Sequence, residues 1–149
     1  MFYKRIALLA ALLWACGGLC AFDLQYGSFF RIGQISLKDG RPVLPVNGKY
    51  ANVRVLDRDT FEVLKACSGA CVQPAQAAEL SLRELRPAKT RENMWIGEVA
   101  FNGQWLVTFL VFKNKDGFAV KEPKQFVFLD DVLKRRVADL LTQAIEVSK

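Results

Sequence analysis

Four Asx-Gly dipeptides divide the chain into short segments, and they constrain its fold more than any other feature. Asn, Asp and Gly tolerate the positive φ angles of tight hairpin turns, so each dipeptide predicts two antiparallel strands joined by a short loop. The sequence therefore predicts a fold built mainly from hairpins. The four dipeptides are Asp39-Gly40, Asn47-Gly48, Asn102-Gly103 and Asp116-Gly117.

The two segments beside Asn102-Gly103 are apolar on both faces. If these two residues form the whole turn, Phe101 faces Gln104, and counting outward places Ile96 beside Phe109. Antiparallel sheets usually expose one polar face to solvent. We therefore expect a central hairpin covered by a helix on one side and by sheet or loop on the other.

The C-terminal segment predicts an amphipathic helix. Asp130 and Asp131 favour its start, as an N-cap and a charge in the first turn. Its apolar positions follow helical spacing: Leu133, Val137, Leu140, Leu141 and Ala144. Its opposite face is polar: Lys134, Arg135, Asp139, Gln143 and Glu146. The fold class is therefore α+β, a mainly antiparallel sheet of hairpins or a meander packed by a C-terminal helix.

Two other segments carry weaker patterns. Val53 and Val55 alternate with polar residues, as do Phe61 and Val63, which predicts a hairpin that leads toward Cys67. Residues 75–78 are Ala-rich and predict a short helix, followed by a strand.

The N-terminus has the pattern of a cleavable secretion signal. Lys4 and Arg5 precede an uncharged run from Ile6 to Ala15, which is too short to span a hydrocarbon core of about 30 Å. We expect cleavage after Ala21, leaving residues 22–149 as a single exported domain, periplasmic or secreted. A competing interpretation is a lipoprotein-type site with a lipid anchor on Cys16. No later stretch predicts a transmembrane helix.

Charge indicates the class of partner. The chain carries a formal charge of +6, and loss of Lys4 and Arg5 leaves about +4, spread along the domain. A nucleic-acid reader usually shows denser basic clusters with exposed aromatic residues. We therefore expect no nucleic-acid partner, and instead another envelope or extracellular protein.

Cys67 and Cys71 are the only cysteines after the signal, and we predict that they form a disulfide. Gly69 provides the backbone freedom that so small a ring needs. A redox centre is the alternative, but thioredoxin-like motifs have two residues between the cysteines. The three enclosed residues, Ser68, Gly69 and Ala70, form a candidate binding loop.

The sequence contains few candidate catalytic residues. The chain has no histidine, which excludes Ser-His-Asp and Cys-His systems and histidine metal sites. No cofactor-binding motif is present, and we predict neither a cofactor, a metal site nor an enzyme. Asp57, Asp59 and Glu62 could in principle act as a carboxylate pair, but turn aspartates usually bond local backbone.

Adjacent aromatic residues offer a surface contact. Phe29 and Phe30 point to opposite faces if the chain is extended there, so one ring is expected to be exposed. Together with Arg135 on the polar helix face, they are the candidate contact residues.

The stretch from Phe61 to Cys67, taken with Cys71, resembles the strand and disulfide-closed loop of the periplasmic lysozyme inhibitors of the Ivy family. The similarity covers about a dozen residues, and this loop lacks the histidine of the family's loop. The resemblance implies a small exported α+β protein that inserts the loop into an enzyme cleft.

The sequence as a whole leaves two expected functions. One is a non-enzymatic envelope accessory or protein-binding module. The other is an inhibitor of an exogenous hydrolase such as lysozyme, acting through the Cys67–Cys71 loop.

Overall fold

A computed structural model describes residues 21–45, 52–67 and 69–148 of the protein. The predicted signal up to residue 20 with Cys16, the Asn47-Gly48 turn and Ser68 lie outside these residues. The strands are β1 (Phe22–Tyr26), β2 (Phe30–Lys38), β3 (Arg41–Val43), β4 (Val53–Val55), β5 (Cys71–Gln73), β6 (Leu80–Pro87), β7 (Met94–Phe101), β8 (Trp105–Asn114), β9 (Gly117–Lys121) and β10 (Phe126–Phe128). The helices are α1 (Arg58–Lys65) and α2 (Asp131–Val147).

The first sheet has the strand order β10-β2-β1-β5, and β3 pairs with the far half of β2. Asp39 and Gly40 have φ angles of 53° and 72° and form the β2–β3 turn that their sequence predicts. The pairing of β1 with β5 is parallel, and the other pairings are antiparallel. The fold is thus α+β and mostly antiparallel, in two sheets.

A β-bulge shapes the middle of β2. Ile32 faces Leu24 and Ile35 faces Phe22, so β2 has one more residue than β1 between these two pairs. The extra residue lets both isoleucines point into the core although they are three positions apart. Gln34 adopts φ 60° at this bulge. The Asp23 carboxylate accepts a hydrogen bond of 3.3 Å from the backbone amide of Gln34.

The second sheet has the order β4-β8-β7-β6, with β9 on the remaining half of the β8 edge. Asn102 and Gly103 form the β7–β8 turn, with φ angles of 53° and 64°. The predicted pairing is wrong by one residue, because Phe101 pairs with Trp105. Gln104 is the extra residue, and its carbonyl accepts a hydrogen bond of 2.8 Å from Leu56 of the β4 connection.

The β8–β9 hairpin was also predicted, but its turn lies one residue earlier. Asn114 pairs with Gly117, so Lys115 and Asp116 form the turn. Gly117 has φ 128°, a conformation that glycine adopts at low cost.

One face of the second sheet packs on the core. The odd-numbered apolar side chains of β7 and β8 lie in one cluster with the inner face of the first sheet and with α2. Gly97 lies against Leu141 of α2 on this same face. The helix and the first sheet therefore share one side of the hairpin, whereas the β9–β10 connection lies beside Ile96 and Leu110 on the other side.

The predicted C-terminal amphipathic helix is present as α2. Asp130 is the N-cap and accepts hydrogen bonds from the amides of Val132 at 2.8 Å and Leu133 at 3.4 Å. Its buried residues are Leu133, Val137, Leu141 and Ile145. None of the helices in the described residues has the length and apolar character needed to cross a membrane.

Two local predictions are wrong. Phe61 and Val63 lie in α1 and not in a strand, because Asp57 caps a helix there by accepting a hydrogen bond of 3.3 Å from the Thr60 amide. The strand of the Ivy resemblance is therefore a helix in this protein. Residues 75–78 contain no helix, while the following strand is present as β6.

Candidate functional site

The disulfide closes the end of α1 onto β5. Cys67 and Cys71 are bonded, with their Cα atoms 5.6 Å apart, and both pack against the core. Gly69 has φ 73°, and a β-carbon built on it would meet no atom within 4 Å. Gly69 and Ala70 are exposed, so the described part of the candidate loop faces open space.

The candidate contact residues separate in the structure. Phe30 is fully buried, with its ring centroid 4.7 Å from Tyr26 and 4.8 Å from Phe126, which removes it from the contact candidates. Phe29 is half-buried and packs against the core. Arg135 is exposed on α2, and its role in binding stays a prediction.

The loop and the helix are not brought together. The disulfide lies beside β5, which ends the first sheet on one side. Helix α2 contacts β10, which ends the same sheet on the other side.

A polar cluster that the sequence did not reveal lies beneath the β7–β8 turn. The Tyr26 hydroxyl donates to the Gln104 side chain and accepts a hydrogen bond of 2.7 Å from Asn102 Nδ2. Burial is the main cause that raises the pKa of Tyr26 above its ordinary value of 10.0, the nearby Asp57 charge raises it further, and the Asn102 hydrogen bond lowers it. Tyr26 therefore stays protonated at neutral pH.

A second polar chain adjoins this cluster. The Trp105 indole donates to the side-chain oxygen Oε1 of Gln73 at 2.9 Å, and the side-chain nitrogen Nε2 of Gln73 donates to the Thr60 hydroxyl at 3.1 Å. Within residues 21–45, 52–67 and 69–148, no buried side-chain nitrogen or oxygen lacks a partner. These side chains therefore fix α1, β5 and the hairpin relative to one another.

The carboxylates of Asp57, Glu62 and Asp130 make contacts within or at the ends of the helices. Asp57 and Asp130 cap the two helices, and Glu62 lies 3.7 Å from Lys65 one helical turn away. Among the described residues, no group of three or more His, Cys, Asp or Glu side chains is arranged to hold a metal ion.

The second sheet has an apolar outer face, turned away from the core. Its central residues are even-numbered and lie outside the core cluster. Ile96, Ala100 and Leu106 are buried, and the others are half-buried. We define the outer face by Met94, Ile96, Ala100, Leu106, Leu110 and Phe112.

Charges border this outer face. Across the sheet, Ile96 pairs with Arg86, and Leu110 pairs with Lys121, so a cation stands at each end of an apolar pair. Between Ile96 and Ala100, Glu98 pairs with Thr108 on this same face and forms an ion pair of 2.9 Å with Arg54. The outer face is therefore apolar on both sides of one polar pair, unlike the polar face that a solvated antiparallel sheet usually presents.

A cavity opens at one end of the outer face. Its volume is about 290 Å³, and it has an apolar floor with a polar rim. It is lined by Asn52, Ile96, Thr108, Leu110, Lys121, Glu122, Pro123 and Lys124. The β9–β10 connection supplies three of these residues, Glu122, Pro123 and Lys124.

Two further concavities flank the same connection. One, on the outer side of the first sheet, shares Lys124 and includes Arg31. The other shares Glu122 and lies against α2, where Lys134 and Arg135 line it. Cations outnumber carboxylates in these two linings: Lys124, Arg31, Lys134 and Arg135 against Asp23 and Glu122.

No protein-family model, no curated protein and no solved structure matches this chain.

Proposed function

We propose that this protein is a non-enzymatic, exported envelope accessory module that binds a protein partner through its outer face. The observation that carries the proposal is a half-buried apolar group, Met94, Leu110 and Phe112, at one end of a sheet face outside the core cluster. Apolar patches with polar borders are typical of interaction sites. Met94 and Phe112 are residue types enriched in interfaces.

Export is supported by two features. The N-terminal sequence has the charged start and short apolar run of a secretion signal. The Cys67–Cys71 disulfide fits an oxidising compartment. The partner that we propose is accordingly another envelope or extracellular protein.

The proposal is tested by site-specific photocrosslinking in the cells that make the protein. A photoreactive residue replaces Phe112 on the outer face or, as a matched control, Gln25 on the exposed side of the first sheet. We expect one partner to crosslink from position 112 and not from position 25. Adding Leu110→Lys should remove that crosslink, because it places a charge in the apolar contact. Equal crosslinking from both positions would contradict the proposal.

The inhibitor function is the second candidate, and one observation favours it. Gly69 and Ala70 are exposed beside Val72, which is 63 % exposed, so this corner is accessible to an enzyme cleft. We expect Ala70→Arg to be silent in a partner assay, because the loop has no Trp, Tyr or Arg anchor. A tenfold or greater loss of affinity or of lysozyme inhibition, with the melting temperature unchanged, would instead place the function in this loop.

A further inference from the structure

The cavity at the end of the outer face has the composition of a small-ligand site. Its floor is formed by the side chains of Ile96 and Leu110, which pair directly across β7 and β8. Ligand sites combine an apolar lining with a few polar groups, and their volumes begin at roughly 300 Å³. At about 290 Å³, this cavity has room for one narrow chain.

The polar rim carries a net positive charge. Lys121 and Lys124 line it together with Glu122, which leaves one excess positive charge. Neither lysine takes part in an ion pair with another residue in the described ranges. Lys121 extends from the strand position beside Leu110, so a cation stands directly next to the apolar floor.

We propose that this cavity binds a single-chain fatty acid, with the alkyl chain on Ile96 and Leu110 and the carboxylate beside Lys121 and Lys124. The single excess charge matches a monoanionic head group, and the volume matches one chain. This inference rests on the proposed function in one respect, namely that the outer face is a binding surface. It adds the chemical class of a ligand at one end of that face.

Dodecanoate is the probe. The full chain is expressed in an exporting host, purified and titrated with dodecanoate by calorimetry, and the stoichiometry is read by native mass spectrometry. We expect one dodecanoate per protein. Lys121→Gln with Lys124→Gln should weaken binding about tenfold or more, which corresponds to about 1.4 kcal/mol. The matched control, Lys38→Gln with Lys115→Gln, changes two exposed lysines outside the cavity and should leave the affinity unchanged.

A neutral probe tests the head group. Dodecanol should bind the unmodified protein about tenfold or more weakly than dodecanoate, because its hydroxyl carries no charge for the lysines. This difference should shrink in the Lys121→Gln, Lys124→Gln variant. Equal binding of the two probes, equal affinity of the two lysine variants, or no uptake of dodecanoate would each overturn the inference.

The two proposals fail separately. If dodecanoate does not bind while position 112 still crosslinks a protein, the fatty-acid inference is wrong and the proposed function stands. If dodecanoate binds through the lysines and position 112 crosslinks no protein, the protein partner is wrong and the ligand site stands.

Discussion

Gly97 of β7 lies directly against Leu141 of α2, and a β-carbon at residue 97 would overlap a methyl group of that leucine. Leu141 is fully buried, so its side chain has little room to move. The absence of a side chain at residue 97 allows the helix to approach the centre of the second sheet closely.

Gly97→Ala is expected to destabilise the protein by about 1–3 kcal/mol, the usual cost of overpacking a core. Chemical denaturation would measure the change in the free energy of unfolding. Leu141→Val in the same chain should recover part of the loss, because it removes the overlapping methyl group, and a double-mutant cycle would give the coupling. Two strictly additive effects would show that residues 97 and 141 do not constrain each other.

Cys67→Ser combined with Cys71→Ser is expected to lower the free energy of unfolding by about 2 kcal/mol. In the chain-entropy model this is the stabilisation from closing so short a ring. The domain should stay folded, because its core extends over both sheets and α2. Near-ultraviolet circular dichroism and denaturant titration measure both quantities, and complete unfolding at ambient temperature would contradict the prediction.

Tyr26→Phe should cost about 0.5–1.5 kcal/mol, because the change removes the hydroxyl from its hydrogen bonds with the partly buried side chains of Asn102 and Gln104. It should also alter the pH dependence of stability. Above pH 10.0 the unfolded chain loses the hydroxyl proton of Tyr26. Because the pKa of Tyr26 is raised in the folded state, the folded protein still keeps that proton there. Tyr26 therefore contributes stability below that pH, which is lost as the pH rises toward its folded pKa.

Thermal unfolding of the two proteins between neutral pH and alkaline pH tests this titration. The unmodified protein should lose more stability above pH 10.0 than the Tyr26→Phe variant loses. Parallel curves for both proteins would show that another group controls the alkaline response.

Asp130→Ala should destabilise the protein by about 1 kcal/mol, the usual contribution of an N-cap. The side chain of Asp130 is the acceptor for the first free amides of α2. Asp131→Ala is the matched control, since its carboxylate lies in the first turn without a capping bond in the described contacts, and only about 0.3–1 kcal/mol is expected from its charge. A larger loss at residue 131 than at residue 130 would contradict the capping assignment.

Local signals account for the parts of the fold that the sequence predicted. The 3.6-residue spacing of α2, its Asp130 cap and the Asp39-Gly40 turn each depend on residues close together in the chain. The error at α1 has a local part, because the Asp57 cap was available in the sequence, and a non-local part. Thr60 accepts a hydrogen bond from Gln73 of β5, and no pattern around Phe61 contains that contact.

The outer face could be predicted only in part, because its position depends on contacts between distant parts of the chain. Apolar residues on both faces of the β7–β8 hairpin could be read from the sequence, but the side that joins the core depends on α2 and the first sheet. The one-residue error in register arises at Gln104, whose bonds reach Tyr26 and Leu56. Phe30 is buried because Phe126 of β10 packs on it from a distant part of the chain.

The position of β10 beside β2 determines when the first sheet can be finished. Phe126 pairs with Ile32, so one of the last strands to leave the ribosome covers one of the first. Until it arrives, the half of β2 that carries Phe30 and Ile32 lacks its neighbour on that edge. Proteins are synthesised from the N-terminus, and exposed strand edges favour aggregation. The first sheet can therefore be completed only after residues 126–128 have been synthesised, when β1, β2, β3 and β5 have already been made.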